Sequence, residues 1–272
     1  MKILKTIDEL QSIRKDITSN VGFVPTMGAL HDGHISLIKK SRKENDIVIV
    51  SIFVNPTQFL AGEDLDAYPR KDAADIKICE MCKVDYLFMP EISTMYAKEE
   101  IILKAPNKSY VLEGKTRPGH FDGVLQVVLK LFGITQPTNA YFGKKDAQQL
   151  SLISQMVKDF FLPINIIACE IVRESDGLAL SSRNIYLDET QRKDSLLISK
   201  SLYAAATLIA KDERDTKVIK EKINEVMKTL ELEYVAIVDR EFNELENIEI
   251  DNTIILVVAK FGNTRLLDNI WL

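Results

Sequence analysis

Cysteine, histidine and tryptophan are scarce in this chain of 272 residues, which contains three, three and one of them. A chain of this length buries enough surface to be stable without a disulfide or metal staple. Cys79 and Cys82 form a C-x2-C pair, but a zinc site normally needs a second ligand pair, and the third cysteine is Cys169. The pattern of residues 72–83 is typical of an amphipathic helix. We therefore expect buried, reduced thiols, with metal or redox chemistry as the remaining alternative.

Long apolar runs and clusters of one charge sign are also missing. The longest apolar run, Ile47–Val54, is interrupted by Ser51 and is far shorter than the ~20 residues needed to cross a bilayer. The segment Met1–Lys5 leads into charged residues and lacks the apolar core of a signal peptide. The 35 basic and 40 acidic residues give a net charge of −5, without a basic stripe suited to nucleic acid. We expect a cytoplasmic enzyme with no nucleic-acid or membrane partner.

The first part of the chain alternates strand-like apolar runs with helical patterns. Residues 46–54 form a nearly continuous β-branched run, which is typical of a strand buried on both faces. Strands separated by helices indicate a parallel sheet covered on both sides, so the predicted fold class is α/β with a Rossmann-like sheet. The predicted strands span 21–25, 46–54, 84–89, 140–143 and 164–172, and the predicted helices span 35–43, 72–83, 123–132 and 146–160.

After Val172 the pattern changes, because residues 173–184 are polar and contain glycine. Two long helical patterns follow, and then three strand-like runs, the last two separated by Phe261–Asn263, which predicts a tight hairpin. This order indicates a smaller C-terminal α+β domain with antiparallel strands. We place the boundary within 172–184 and divide the chain into residues 1–175 and 176–272. The helical patterns span 188–210 and 216–230, and the strand-like runs span 232–239, 253–260 and 264–268.

One segment, Pro-Thr-Met-Gly-Ala-Leu-His-Asp-Gly-His from Pro25 to His34, begins where the first predicted strand ends and leads into a predicted helix. In open parallel sheets, ligands bind beyond the carboxyl ends of the strands, at helix N-termini. Gly28 and Gly33 would let the backbone approach phosphates closely. His31 and His34 are three residues apart, so both can lie on one face of the first helical turn and stabilise charge growing on phosphorus.

Histidines on helices are usually surface residues or satisfied core residues. Here two of the three histidines lie together, on either side of a glycine, at a strand-to-helix junction. H-x-G-H in that position favours nucleotidyl transfer. The P-loop pattern G-x-x-x-x-G-K-[ST] does not occur, so the predicted phosphate site is of another kind.

Together with Phe53–Phe59 (Phe-Val-Asn-Pro-Thr-Gln-Phe), the segment Pro25–His34 resembles the pantothenate synthetase family. Further segments agree with that family in the same order, over residues 25–184. They are Tyr68–Arg70 (Tyr-Pro-Arg), Leu112–Phe121 (Leu-Glu-Gly-Lys-Thr-Arg-Pro-Gly-His-Phe), Gly143–Asp146 (Gly-Lys-Lys-Asp) and Leu180–Asn184 (Leu-Ser-Ser-Arg-Asn). One departure is Lys144, where the family often has Glu, at a position that we expect to face solvent.

The resemblance implies an ATP-dependent condensation of pantoate with β-alanine. ATP and pantoate would give pantoyl adenylate and pyrophosphate, and the amine of β-alanine would then displace AMP to give pantothenate. Adenylation is needed because a free carboxylate is a poor acyl donor. The resemblance also implies a homodimer, and Mg²⁺ is expected with ATP. Nucleotide and pantoate would bind residues 1–175, and residues 176–272 would act as a lid that excludes water.

The resemblance also assigns site residues. His34 is the catalytic residue, which would stabilise the transition state at the α-phosphate and donate to the departing group. Gln58 and Gln149 are assigned to pantoate, and Gln58 also to β-alanine. The residues assigned to ATP are Met27, Gly28, Ala29, Leu30, His31, Asp32, Gly33 and His34, then Gly143, Lys144, Lys145 and Asp146, and then Val172, Leu180, Ser181, Ser182 and Arg183.

Simpler roles remain open for some of these residues. Gln58 would otherwise be a surface loop residue, while Asp146 and the serines would cap helices. Arg117 and His120 lie in a predicted loop from which they could reach the substrate. No protein ligand of Mg²⁺ is identified, and the candidates, on charge and position alone, are Asp66, Asp72 and Asp75.

Two other functions are compatible with the H-x-G-H motif. A nucleotidyltransferase would keep the nucleotide in its product, whereas the ligation releases AMP. A regulatory module would bind the nucleotide without turnover, but it would not need the small-acid pocket that Gln58, Gln149 and Lys145 indicate.

Overall fold

A computed structural model describes residues 1–60, 62–63 and 65–272 of the chain. The chain divides into two compact units, residues 1–170 and 171–272, compared with the 1–175 and 176–272 expected from the sequence. Within the described residues, no helix is both long enough and apolar enough to cross a membrane.

The first unit is built on a six-stranded sheet in which every pair of neighbouring strands is parallel. The strand order is β1-β4-β3-β2-β5-β6. The two central strands β2 and β3 have no exposed residue, as the β-branched run predicted. The predicted α/β class is confirmed. The strands are β1 (Lys2–Leu4), β2 (Val21–Thr26), β3 (Ile47–Ile52), β4 (Tyr86–Phe88), β5 (Asn139–Gly143) and β6 (Asn165–Cys169).

Helices connect these strands, and each of the predicted helical patterns 35–43, 72–83, 123–132 and 146–160 overlaps one of them. Helix α1 was not predicted from the sequence, although Thr6 and Glu9 form a capping box at its start. The helices are α1 (Ile7–Asp16), α2 (Asp32–Glu44), α3 (Asp72–Met81), α4 (Ile92–Met95), α5 (Glu113–Thr116), α6 (His120–Thr135) and α7 (Ala147–Asp159).

The strand order reverses direction between β2 and β5. From β2 the chain moves outward through β3 to β4, and it then returns to the other side of β2 to form β5 and β6. Strands β2 and β5 are paired in register at Gly22 with Asn139 and Phe23 with Ala140. Their carboxyl ends therefore form a topological switch point, which is where ligands bind in open α/β sheets.

The cysteines are buried and unpaired. Cys79 and Cys82 lie at the end of α3, and Cys169 is the last residue of β6. Burial raises the pKa of the Cys79 thiol to about 12, so this thiol stays protonated and unreactive at neutral pH. The prediction of buried, reduced thiols is confirmed.

The second unit has two helices and a three-stranded antiparallel sheet of order β7-β8-β9. The last two strands form the predicted hairpin, in which Phe261 pairs with Thr264 across Gly262 and Asn263. Its core contains Ile198, Leu202, Ile219, Ile223, Ile255 and Val257. The elements are α8 (Glu189–Ile209), α9 (Thr216–Met227), β7 (Glu231–Val238), β8 (Ile254–Phe261) and β9 (Thr264–Trp271).

Candidate active site

The loop between β2 and α2 makes a sharp turn at the switch point. Gly28 and Ala29 both adopt left-handed backbone conformations, with φ values of +84° and +49°. The hydroxyl of Thr26 accepts a hydrogen bond from the Gly28 amide at 3.2 Å and donates to the Ser51 carbonyl at 2.8 Å. The end of β2 is thereby fastened to β3, and the turn delivers His31 to the start of α2.

His31 and His34 cap the N-terminus of α2 reciprocally. The Nδ1 atom of His31 accepts from the Gly33 amide at 3.1 Å, and Nδ1 of His34 accepts from the His31 amide at 3.4 Å. The two ring centroids are 4.2 Å apart. Because a neutral imidazole that accepts at Nδ1 carries its proton on Nε2, both rings keep an Nε2–H donor for a ligand.

Both of these histidines are neutral at physiological pH. Burial, followed by the neighbouring His31, lowers the pKa of His34 to about 3. Burial and the positive charge of Lys145 lower the pKa of His31. Neutral imidazoles offer hydrogen-bond donors but no positive charge, so positive charge for an anionic ligand would have to come from other residues.

Several backbone amides of this loop are already used inside the protein. The amides of Ala29 and Leu30 donate to the two carboxylate oxygens of Asp75, each at 2.8 Å. The Gly28, His31 and Gly33 amides donate to Thr26, His34 and His31 as described above. The imidazole Nε2–H groups are further donors for a ligand, beside the close approach of the backbone to phosphates that the glycines predict.

The segment that follows β5 contains two lysines, Lys144 and Lys145, and an aspartate, Asp146. Lys145 and Asp146 are close enough to both histidines to shift their pKa values in opposite directions. Asp146 precedes α7 but makes no side-chain cap hydrogen bond, so capping does not explain it. Lys144 forms an ion pair with Glu170, and its amide donates to the Cys169 carbonyl at 2.8 Å.

Gln58 lies on the other side of the same loop. It ends the short 3-10 helix that follows β3, and its side chain is buried. Its Oε1 accepts from Asn55 Nδ2 at 3.2 Å, and its Nε2 lies 2.9 Å from the sulfur of Met27. Because a thioether is a weak acceptor, the Gln58 amide retains donor capacity for a substrate oxygen.

The chain that carries these polar segments at the switch point matches one family. The family model for pantoate-beta-alanine ligases matches residues 2–271. The chain belongs to the pantoate–β-alanine ligase family.

Individual relatives agree over the whole chain. It is 78% identical to the pantothenate synthetase of Aliarcobacter butzleri and 58% identical to that of Campylobacter hominis, with all of each chain covered. A crystal structure of pantothenate synthetase from Thermus thermophilus superposes with a TM-score of 0.94 at 36% identity, covering 100% of this chain and 99% of that one. A pantoate-beta-alanine ligase from Francisella tularensis, complexed with beta-gamma ATP and beta-alanine, gives 0.82 at 41% identity, covering 100% and 97%. The chain is thus an enzyme of this ligase family, as the resemblance predicted.

The sequence left the roles of Arg117 and His120 in this ligase open. In the structure, both side chains contact the backbone carbonyl of Gln58. The His120 Nδ1–H donates to the Gln58 carbonyl at 2.8 Å, and His120 Nε2 accepts from Arg117 at 3.2 Å. Arg117 is held by a bidentate ion pair with Glu63, at 2.6 and 2.7 Å. Both side chains are therefore engaged within the protein, and they fix the backbone of Gln58 instead of reaching outward.

The turn that carries Gln58 is packed tightly against α6. The Asn55 side chain is buried and donates to the Gly123 carbonyl at 3.1 Å, while its Oδ1 accepts from the Tyr96 hydroxyl at 2.7 Å. A Cβ at Gly123 would lie 2.3 Å from the Thr57 carbonyl oxygen, so only glycine allows this approach. The sequence did not single out Asn55 and Gly123 as residues that support the Gln58 turn, although Asn55 lies in the same motif as Gln58.

Gln149 and its neighbour have different environments in the first turn of α7. Gln148 is buried; its oxygen accepts from the Glu113 amide at 3.1 Å, and its Nε2 donates to two loop carbonyls. Gln149 is half-buried. Successive helical residues point about 100° apart, so Gln148 anchors the loop and Gln149 faces a different direction.

The remaining residues assigned to ATP lie in the second unit. The Leu180 amide donates to the Val172 carbonyl at 3.0 Å, which brings these two residues together in a small hairpin. The Ser181 hydroxyl accepts from the Arg183 amide at 3.2 Å and caps the 3-10 helix Ser182–Tyr186. Val172 lies beyond the end of β6, because the predicted strand 164–172 ends at Cys169.

Of the Mg²⁺ candidates, Asp66 and Asp72 are exposed, and both oxygens of Asp75 accept backbone amides. Among the described residues, no group of three or more His, Cys, Asp or Glu side chains is arranged to hold a metal ion. The protein residues described here therefore do not form a magnesium cage of their own.

Two substitutions at His34 separate its cap from its Nε2–H donor. In His34→Asn the amide oxygen lies near the Nδ1 position and can still accept from His31, but the Nε2–H donor is lost. In His34→Gln the side-chain amide lies near Nε2. We expect His34→Asn to lower pantoate-dependent ATP–pyrophosphate exchange by about 10²–10³-fold, as loss of one transition-state donor does, and His34→Gln to keep more activity. Exchange by His34→Asn at the wild-type rate would contradict the donor role.

The three histidines predict a loss of stability in mild acid. Burial lowers the pKa of His34 to about 3 and of His120 to about 4, and it also lowers the pKa of His31. Unfolded histidine titrates near 6.5, so below that pH the unfolded chain binds more protons and stability falls as the pH falls. We expect a slope of up to ~1.4 kcal/mol per pH unit per histidine between pH 6.5 and 5, measured by urea unfolding. His120→Gln should reduce this dependence of the unfolding free energy on pH. An unchanged slope would contradict a contribution from the low pKa of His120.

Proposed function

We propose that this ligase condenses pantoate with β-alanine in two ATP-dependent steps. The pantoate carboxylate attacks the α-phosphorus of ATP, forming pantoyl adenylate and releasing pyrophosphate. The β-alanine amine then attacks the acyl carbon, forms the amide bond of pantothenate and releases AMP. The observation that carries this proposal is the meeting of His31, His34, Lys145 and Gln58 around the switch point.

In the first step, negative charge increases on the oxygens around the α-phosphorus. The Nε2–H groups of His31 and His34 would donate to these oxygens, and Lys145 would supply the positive charge that the neutral imidazoles lack. Fixed donors in a partly dehydrated site stabilise this charge more strongly than water does, because they need not reorient. Asp146 would accept from a ribose hydroxyl.

Gln58 and Gln149 would hold the pantoate and align its carboxylate with the phosphorus. The Gln58 amide donates to a substrate oxygen, and β-alanine takes the same region in the second step. The Francisella tularensis relative was crystallised with a nucleotide and β-alanine, which supports both substrates for this chain. Alignment of two reactants in one pocket removes much of the entropic barrier to their reaction.

The second unit would contribute its own nucleotide contacts. Val172, Leu180, Ser181, Ser182 and Arg183 would bind ATP, with the Arg183 guanidinium matching the phosphate oxygens. Closure of residues 176–272 over residues 1–175 would exclude water from the acyl adenylate, which otherwise hydrolyses. Mg²⁺ would be held mainly by the phosphate oxygens of ATP, which carry the negative charge near the reacting phosphorus. The need for ATP is consistent with a cytoplasmic location.

A pantoate-dependent exchange assay tests this function. With labelled pyrophosphate and without β-alanine, exchange into ATP should require pantoate. Addition of β-alanine should release AMP and pantothenate in equal amounts, detected by mass spectrometry. A product that retains the nucleotide would instead indicate a nucleotidyltransferase, and unchanged ATP over a range of metals and pH would indicate a binding module.

We also propose that the enzyme is a homodimer joined along the edge strand β6. The groove beside this strand is lined by Val157, Leu162, Ile164 and Ile166, and Phe161 is 91% exposed there. An unpaired strand edge beside exposed apolar side chains is typical of an interface.

Phe161→Lys should convert the dimer to a monomer, measured by sedimentation equilibrium, because the substitution would place a charge in the interface. Phe160→Lys, at the neighbouring half-exposed position, provides a comparison. A wild-type chain that sediments as a monomer would contradict the dimer, and a dimeric Phe161→Lys variant would contradict its placement at β6.

A further inference from the structure

Asp75 is a buried carboxylate for which the sequence suggested only a metal-binding role. It lies in the first turn of α3 and is 1% exposed. Its two oxygens accept hydrogen bonds from the consecutive amides of Ala29 and Leu30, each at 2.8 Å. Burial raises the pKa of this carboxyl, and the two amide donors oppose that shift. Through these two hydrogen bonds, the side chain holds the backbone of the loop that leads to His31 and His34.

The loop needs an external anchor because its conformation is unfavourable by itself. Ala29 has a φ of +49°, a left-handed conformation that disfavours residues with a Cβ, and Gly28 next to it has a φ of +84°. A Cβ at Gly28 would lie 3.1 Å from an Asp75 oxygen, so the carboxylate packs directly beneath the turn. Hydrogen bonds to a charged acceptor are among the stronger ones in proteins.

The position of the histidines follows from this anchor. Leu30, which donates to Asp75, directly precedes His31, and His31 and His34 hold each other through the reciprocal cap. On the other side of the turn, Met27 contacts Gln58. A shift of the turn would therefore move the two Nε2–H donors relative to the small-acid side of the site.

We propose that Asp75 is a positioning residue for the adenylation step, which orients His31 and His34 by fixing the loop backbone from below. This inference rests on the proposed function. It assigns Asp75 a role toward the protein backbone, because each carboxylate oxygen accepts an amide of the loop. In the amide formation step the same donors would face the phosphate of the departing AMP, so that step also depends on the position of this loop.

The first test compares Asp75→Asn with Glu80→Gln. Asparagine has the same shape as aspartate, but it turns an NH2 group toward one of the two amides and so breaks one hydrogen bond. Glu80 lies on the same helix and is exposed, so Glu80→Gln is a matched control for the loss of one carboxylate. We expect Asp75→Asn to lower the kcat of pantoate-dependent pyrophosphate exchange about 10²-fold, with a small change in the KM for pantoate, as displaced catalytic groups do. Glu80→Gln should exchange at the wild-type rate.

The second test separates positioning from a general loss of folding. Urea unfolding should show that Asp75→Asn is cooperatively folded under the assay conditions, although its exchange is about 10²-fold slower. Unchanged exchange, or slower exchange that the unfolded fraction accounts for completely, would overturn the inference. If Asp75→Asn does not fold, Asp75→Glu decides in the same way, since it keeps the charge and displaces the carboxylate by one methylene. Absence of exchange in the wild type would instead refute the proposed function.

The ring nitrogens give a spectroscopic readout that is independent of turnover. In the wild type, ¹⁵N shifts should show His31 and His34 as Nε2–H tautomers and His120 as the Nδ1–H tautomer, because His120 donates to the Gln58 carbonyl through Nδ1. Asp75→Asn should change the signals of His31 and His34 and leave those of His120. Unchanged signals for all three rings would overturn the positioning role.

Discussion

The reciprocal cap between His31 and His34 is the constraint on which the active site depends. Each Nδ1 atom accepts a backbone amide at the start of α2, so both rings are fixed in direction and in tautomer by the helix itself. The same enclosure that fixes them also keeps them uncharged, with the pKa of His34 at about 3. In the proposed function two tasks are therefore divided between residues: the histidines would provide directed donors, and Lys145 would provide positive charge.

The small-acid side of the site follows a similar principle. Asn55 holds the oxygen of the Gln58 side chain, and His120 holds the Gln58 backbone, so that the free capacity of this residue is its amide donor. Behind them, Arg117 is neutralised by Glu63. Buried polar groups of this kind are stable only when all members have partners, and such a fully connected network also restricts Gln58 to one orientation. In the proposed function, a rigid Gln58 would favour alignment of the substrate carboxylate.

Both sides of the site are joined by the turn between β2 and α2. Thr26 ties the turn to β3, Asp75 holds its amides, and Met27 touches Gln58. A backbone with consecutive left-handed residues is uncommon and persists when surrounding groups determine it. Five amides of this turn and of the start of α2 have protein acceptors, in contrast to P-loops, where the backbone itself cradles phosphate.

Hydrophobic periodicity and the motif at His31 and His34 are local properties of the chain. They were therefore enough to predict the parallel sheet, the succession of its main strands and helices, the antiparallel C-terminal hairpin and the membership of the family. The elements β1 and α1 were not predicted from the sequence. The three residues of β1 are too few to show a periodicity, and α1 exposes most of its surface. Only the tertiary structure decided which atoms of the motif residues face a ligand. The partner of the Ala29 amide lies 46 residues away and the partner of the Gln58 carbonyl lies 62 residues away, so tautomers, anchors and the inward roles of Arg117 and His120 depend on contacts that no local pattern encodes.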